Sequence, residues 1–124
     1  MKNLKRALTA FFLLIITGGL AAQNAKTTEI DIKVSSQCSM CKETIEKTLA
    51  FEKGIVKSNL DIETHVVKVT YKTGKTTPEA IRKAISLAGY DADDVAADPK
   101  AYAKLSDCCK KPEDRVNGHS GHQH

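Results

Sequence analysis

The stretch EIDIKVSSQCSMCKETIEKTL, Glu29 to Leu49, changes its period in the middle. In its first part Ile30, Ile32 and Val34 alternate with Glu29, Asp31 and Lys33, the twofold repeat of a half-buried strand. From Cys41 on, Cys41, Ile45, Thr48 and Leu49 share one helical face, and Lys42, Glu43, Glu46 and Lys47 are the polar residues. Glu43 and Lys47 stand in the favourable order for an i,i+4 pair. Ser35 to Met40, polar, reads as the loop between the two. Cys38 therefore leaves a strand in a loop, and Cys41 opens a helix.

Outward from this junction the pattern continues. Gly54 is a natural stop for the first helix. Ile55 to Ile62 reads as a strand with Val56, Ser58, Leu60 and Ile62 on one side, followed by a turn at Asp61 to Thr64. Val67, Val69 and Tyr71 mark another alternating strand, and His65 before it is expected on the surface. Thr77-Pro78-Glu79 starts a helix, with a capping hydroxyl, a proline at the first position and an acid in the first turn. Its buried face is predicted to be Ala80, Ile81, Ala84, Ile85 and Ala88, and Gly89 ends it. Tyr90 to Val95 reads as a last strand weakened by Asp91, Asp93 and Asp94, and a short helix follows near Asp98 to Leu105. The order βαββαβ over residues 27–96 predicts an α+β, ferredoxin-like sandwich with both helices on one face of an antiparallel sheet. Residues 97–124 form a C-terminal helical or flexible tail.

The N-terminus is set apart from this domain. Lys2, Lys5 and Arg6 precede an apolar run from Ala7 to Ile16, a break at Thr17-Gly18-Gly19, and small residues at Ala21-Ala22. That is the layout of a secretory signal peptide over residues 1–22, with cleavage expected after Ala22 and an uncleaved N-terminal anchor as the alternative, and it implies an exported, periplasmic protein. The formal net charge of the whole chain is +4. Three of its cations lie in the leader, so the exported part is nearly neutral. It has no basic field for nucleic acid, and with no Trp it has few stacking platforms.

Four cysteines in an exported chain usually suggest disulfides. Here they come as Cys38/Cys41 and Cys108-Cys109, and neither pair closes a long loop; a bridge between the two pairs would. The first pair suits a metal. A helix N-terminus favours thiolate, thiolates select soft ions over hard ones, and two ligands suit an ion of low coordination such as Cu(I). Cys108 and Cys109 offer secondary ligands; a tail folded back on the first pair would supply four sulfurs, a set that admits Zn(II). His119, His122 and His124 form a metal-binding tract by composition. A plain Cys38–Cys41 disulfide is the alternative state of the first pair, and a thioether role as gap filler is expected for Met40.

Ser35 to Lys47, with this element order, resembles the heavy-metal-associated domain family. The likeness rests on Cys38-Ser-Met-Cys41 with Ile45-Glu46-Lys47, on Gly54-Ile55-Val56, and on Gly89-Tyr90. The resemblance implies Cys38 and Cys41 as metal ligands, with Tyr90 in the loop beside them. Where the family commonly has an inward-packed Met, this chain has Ser36; Met40 is expected to supply part of that packing. The function expected is binding and transfer of Cu(I), with Hg(II) as the alternative cargo, by a non-enzymatic carrier. Its partners would be the ion and a metal-transporting membrane pump or another metal-binding protein. A thiol–disulfide oxidoreductase shares the Cys-x-x-Cys motif but needs a different strand–helix order. The sequence does not specify an oligomeric state.

Overall fold

The computed structural model describes residues 26–115; the leader 1–22 and His119, His122 and His124 lie outside them. Three strands and two principal helices form the frame: β1 (Thr27–Lys33), α1 (Ser39–Ala50), β2 (Ile55–Asp61), β3 (Val66–Lys72) and α2 (Pro78–Leu87). The sheet is antiparallel in the order β1-β3-β2. Its register sets Ile32 and Leu60 on either side of Val67, and Ile30 and Ser58 on either side of Val69. One face carries the exposed Glu29, Asp31, Asn59 and Lys68. The other joins Ile32, Leu60, Val67 and Val69 to Ile45 and Leu49 of α1 and Ile81 and Ile85 of α2 in one core. Both helices therefore cover the same face, as the alternation of period 2 and the 3.6-residue faces require. This is the expected ferredoxin-like arrangement.

Several local expectations shift. In β2 a bulge between Ile55 and Lys57 turns Val56 outward, 49% exposed, and Ile55 packs on the core instead. In α2 the Thr77 hydroxyl caps Ala80 N–H at 3.2 Å, as the Thr-Pro-Glu start predicts. Ala80 itself is exposed, and Ser86 takes a place on the buried face, donating to the Ala96 carbonyl at 2.6 Å. The helical ion pair on α1 is Lys42–Glu46, at 2.6 Å.

The last strand is reduced to isolated bridges, Val34 to Ala92 and Ala92 to Val95. Its acidic residues explain why. Asp93 sits at a left-handed φ of 52°, accepts Lys33 N–H at 2.9 Å and pairs with Arg82 at 2.8 Å. Asp91 accepts Ala97 N–H at 2.8 Å. These side chains take up the hydrogen bonds that a longer ladder would have used.

Beyond Asp98 the chain packs back on the domain. A short helix α3 (Pro99–Ala103), capped by Asp98, is followed by single 3-10 turns at Asp107–Cys109 and Pro112–Asp114. Gly89 permits this return: its φ is +103°, and a Cβ there would stand 3.1 Å from the Ala101 carbonyl. Leu105 packs on the core, and Cys109 is part of it. No helix among the described residues is long and apolar enough to cross a membrane.

Candidate metal centre

Cys38 is the N-cap of α1, whose start at Ser39 lies two residues before the Cys41 start that the sequence period implies, and its backbone is extended at φ −154°. Its carbonyl accepts the N–H groups of Cys41 and Lys42, which closes the first turn. That turn carries the two sulfurs to 3.4 Å of each other at the positive end of the helix. Cys41 is buried and Cys38 half-buried. The Gln37 N–H points at the Cys41 sulfur from 3.4 Å. Burial works to raise the Cys38 thiol, but the Cys41 N–H, the Cys41 and Cys108 thiols and the Met40 N–H converge on it and bring it down to about 7. Near neutral pH this sulfur is therefore partly thiolate, the form in which cysteine ligates metals.

The tail reaches the same place. Cys108 Sγ lies 3.4 Å and Cys109 Sγ 3.8 Å from Cys38 Sγ, and the two are 4.0 Å apart. Cys38, Cys108 and Cys109 together form a compact sulfur triangle, all within 4.8 Å of one another, with Cys41 outside that group. All four cysteines are free thiols. Cys108 is exposed; Cys109 is only 3% exposed, and burial first, then its Cys41 neighbour, pushes its thiol far above the ordinary range.

Tyr90 lies under the cluster, fully buried. Its hydroxyl has no partner in hydrogen-bonding geometry. Burial, then the neighbouring Cys109 and Cys41 sulfurs, raises its ionisation well above the usual tyrosine range. Met40 does not fill the space at Ser36. It is 50% exposed, and its Sδ stands 3.9 Å from Cys108 Sγ, at the rim of the sulfur cluster. Ser36 is itself buried, with Oγ 3.4 Å from His65 Nδ1. His65 is thus half-buried and structural, not a bare surface residue: it holds φ 59°, and its carbonyl accepts Val34 N–H at 2.8 Å. A polar contact replaces the apolar plug expected of a methionine.

Residues 33–91 match the model of the heavy-metal-associated domain. A mercuric transport protein periplasmic component from Shewanella putrefaciens is 33% identical over 90 residues, 73% of this chain and 93% of that protein. The chain belongs to the heavy-metal-associated domain family. Solved relatives agree in fold. The oxidised MerP of Ralstonia metallidurans CH34 is 29% identical with a TM-score of 0.53, over 55% of this chain and 96% of that one. The CopZ metallochaperone is 26% identical with a TM-score of 0.51, over 52% and 98%. In this heavy-metal-associated domain the Cys38/Cys41 pair falls inside the matched segment, and Cys108 and Cys109 fall beyond it. The sequence marked all four cysteines. The Ser36–His65 contact and the Gln37 N–H aimed at Cys41 carried no motif by which they could be found.

Proposed function

We propose that this protein carries a soft, thiophilic cation, Cu(I) in the first instance, on the sulfurs of Cys38 and Cys41. It passes the ion on by ligand exchange to a thiolate-bearing partner. The observation that carries this reading is the 3.4 Å sulfur–sulfur approach at the N-terminus of α1, where the helix dipole and converging N–H groups favour thiolate. Such a pair has high affinity for polarisable ions and little for hard ones. In this reading the chain is an exported carrier, not an enzyme, working in the periplasm after loss of residues 1–22. A metal-transporting membrane pump is the receiver. The periplasmic names of the relatives from Shewanella putrefaciens and Serratia marcescens support that setting. Both names also include mercuric transport, which favours Hg(II) as a second reading of the cargo.

The test is an anaerobic Cu(I) titration against a competing chelator, run on the reduced protein and on Cys38→Ser/Cys41→Ser. Tight binding is expected for the first and lost in the second; equal binding by both overturns the proposal. A deletion strain sensitised to mercuric salts but not to copper moves the cargo to Hg(II).

A further inference from the structure

We propose that Cys108 and Cys109 are ligands of the same ion, so that the site is a three- or four-sulfur centre roofed by the C-terminal segment. This rests on the reading above and adds to it ligands that lie outside the residues matched by the family model.

Sulfur spacing is the first argument. With metal–thiolate bonds of about 2.3 Å, two sulfurs in line across an ion stand about 4.6 Å apart, three in a triangle about 4.0 Å, and four in a tetrahedron about 3.8 Å. The separations found are 3.4 Å for Cys38–Cys41 and Cys38–Cys108, 3.8 Å for Cys38–Cys109 and 4.0 Å for Cys108–Cys109. They lie nearer the triangle and tetrahedron than the in-line pair. A two-coordinate ion would need Cys38 and Cys41 to spread by about 1.2 Å, given the same bond length. An ion shared by Cys38, Cys108 and Cys109, whose sulfurs all lie within 4.8 Å of one another, needs smaller shifts.

The second argument is that the tail is anchored from several directions. Lys111 pairs with Asp91 at 2.7 Å. The Lys111 N–H donates to the Tyr102 hydroxyl, which donates to Asp114, both at 2.9 Å. Leu105 packs on the core, and Gly89 admits α3 against its backbone. Cys109 is held in the core beside Cys41, and Cys108 remains at the surface. These anchors fix the sulfurs in place before any ion arrives, so little ordering is left to oppose binding.

The exposure gradient gives a route. Cys108 and Cys38 meet solvent; Cys41 and Cys109 do not. An arriving ion is taken first by Cys108 and Cys38. It then moves inward as a bond to Cys41 or Cys109 forms and a bond to its outside ligand breaks. Each thiol that joins releases its proton to solvent, and no electron moves. Departure reverses the order, with the partner's thiolate displacing Cys108 first. A centre of this kind retains its ion longer than an open two-sulfur loop, because the partner's thiolate must displace Cys108 before the inner sulfurs let go.

The experiment compares the reduced, Cu(I)-loaded protein with Cys108→Ser, Cys108→Ser/Cys109→Ser and Cys38→Ser/Cys41→Ser. Sulfur coordination number is read by X-ray absorption, and the rate of release is read by transfer to a chelator. Wild type is expected to show three or four sulfurs. Cys108→Ser, at an exposed position that the core does not use, is expected to show one fewer and to release copper at least tenfold faster. The double tail variant is expected to fall to two. Two sulfurs in wild type, with unchanged release from Cys108→Ser, overturns the proposal while leaving the Cys38/Cys41 reading intact. Undiminished copper binding by Cys38→Ser/Cys41→Ser overturns the earlier reading.

Discussion

Replacing Tyr90 by Phe should stabilise the reduced, metal-free protein. Tyr90 has no exposed surface, and its hydroxyl is sealed in without a partner in hydrogen-bonding geometry. A buried polar group left unsatisfied costs about 1–3 kcal/mol. The Cys109 and Cys41 sulfurs and the Thr44 hydroxyl are its polar surroundings and offset part of that cost. Thr44 already donates to the Met40 carbonyl at 2.9 Å. Phe keeps the ring and its packing and removes only the oxygen. The expected gain is about 1 kcal/mol, or a rise in Tm of roughly 4–8 °C for a domain of this size. Thermal unfolding under reducing, metal-free conditions measures it. Tyr102→Phe is the contrast, because that hydroxyl both accepts from Lys111 N–H and donates to Asp114. It should lose stability by about 1 kcal/mol. A Tyr90→Phe protein less stable than wild type by that amount would refute the reasoning, since it would mean the hydroxyl is bonded in the folded state.

Gly89→Ala should cost about 2–4 kcal/mol, from left-handed strain at φ +103° and from a Cβ 3.1 Å from the Ala101 backbone; urea unfolding gives the loss, and faster proteolysis after residue 98 shows which contact opened. Asp91 is held below its ordinary 3.8: burial works to raise it, but the Lys111 ammonium and the Ala97 N–H outweigh burial. A depressed carboxyl binds protons more readily when unfolded, so its contribution is complete above about pH 4 and lost as pH falls toward the folded value. Wild type should therefore lose more stability than Asp91→Asn between about pH 6 and about pH 3, as denaturant midpoints at the two pH values will record. Lys42 joins Glu46, the Asn59 amide oxygen and the Leu60 carbonyl, all within 2.8 Å. Lys42→Met should cost about 1–2 kcal/mol and loosen α1 from β2, visible as faster amide exchange at Leu60, whose N–H donates to Glu46.

Most of the frame was legible because its signals are local. The alternation at Ile30, Ile32 and Val34, the helical face of Cys41, Ile45 and Leu49, and the Thr77-Pro78 start each report contacts made within a turn or across one sheet face. Where a non-local partner decides the placement, the local pattern does not carry it. Parity groups Val56 with Ser58 and Leu60 on one side of β2, and the bulge opposite β3 separates it from them. The last strand was expected from Tyr90 to Val95, and Asp91 and Asp93 turned their carboxylates to Lys111, Arg82 and Lys33 instead. Met40 was expected to fill space that Ser36 and His65 closed with a polar contact.

By itself the sequence determined the fold class and the place of the Cys38/Cys41 pair, because a strand, a loop and a helix N-terminus are written in neighbouring residues. Only the tertiary structure decided that Cys108 and Cys109 stand over that pair. The approach spans a separation of 70 residues and depends on a few unlike contacts: a left-handed glycine, one ion pair, one tyrosine hydroxyl and one half-buried leucine. None of these repeats along the chain, so no period announces where the tail will lie.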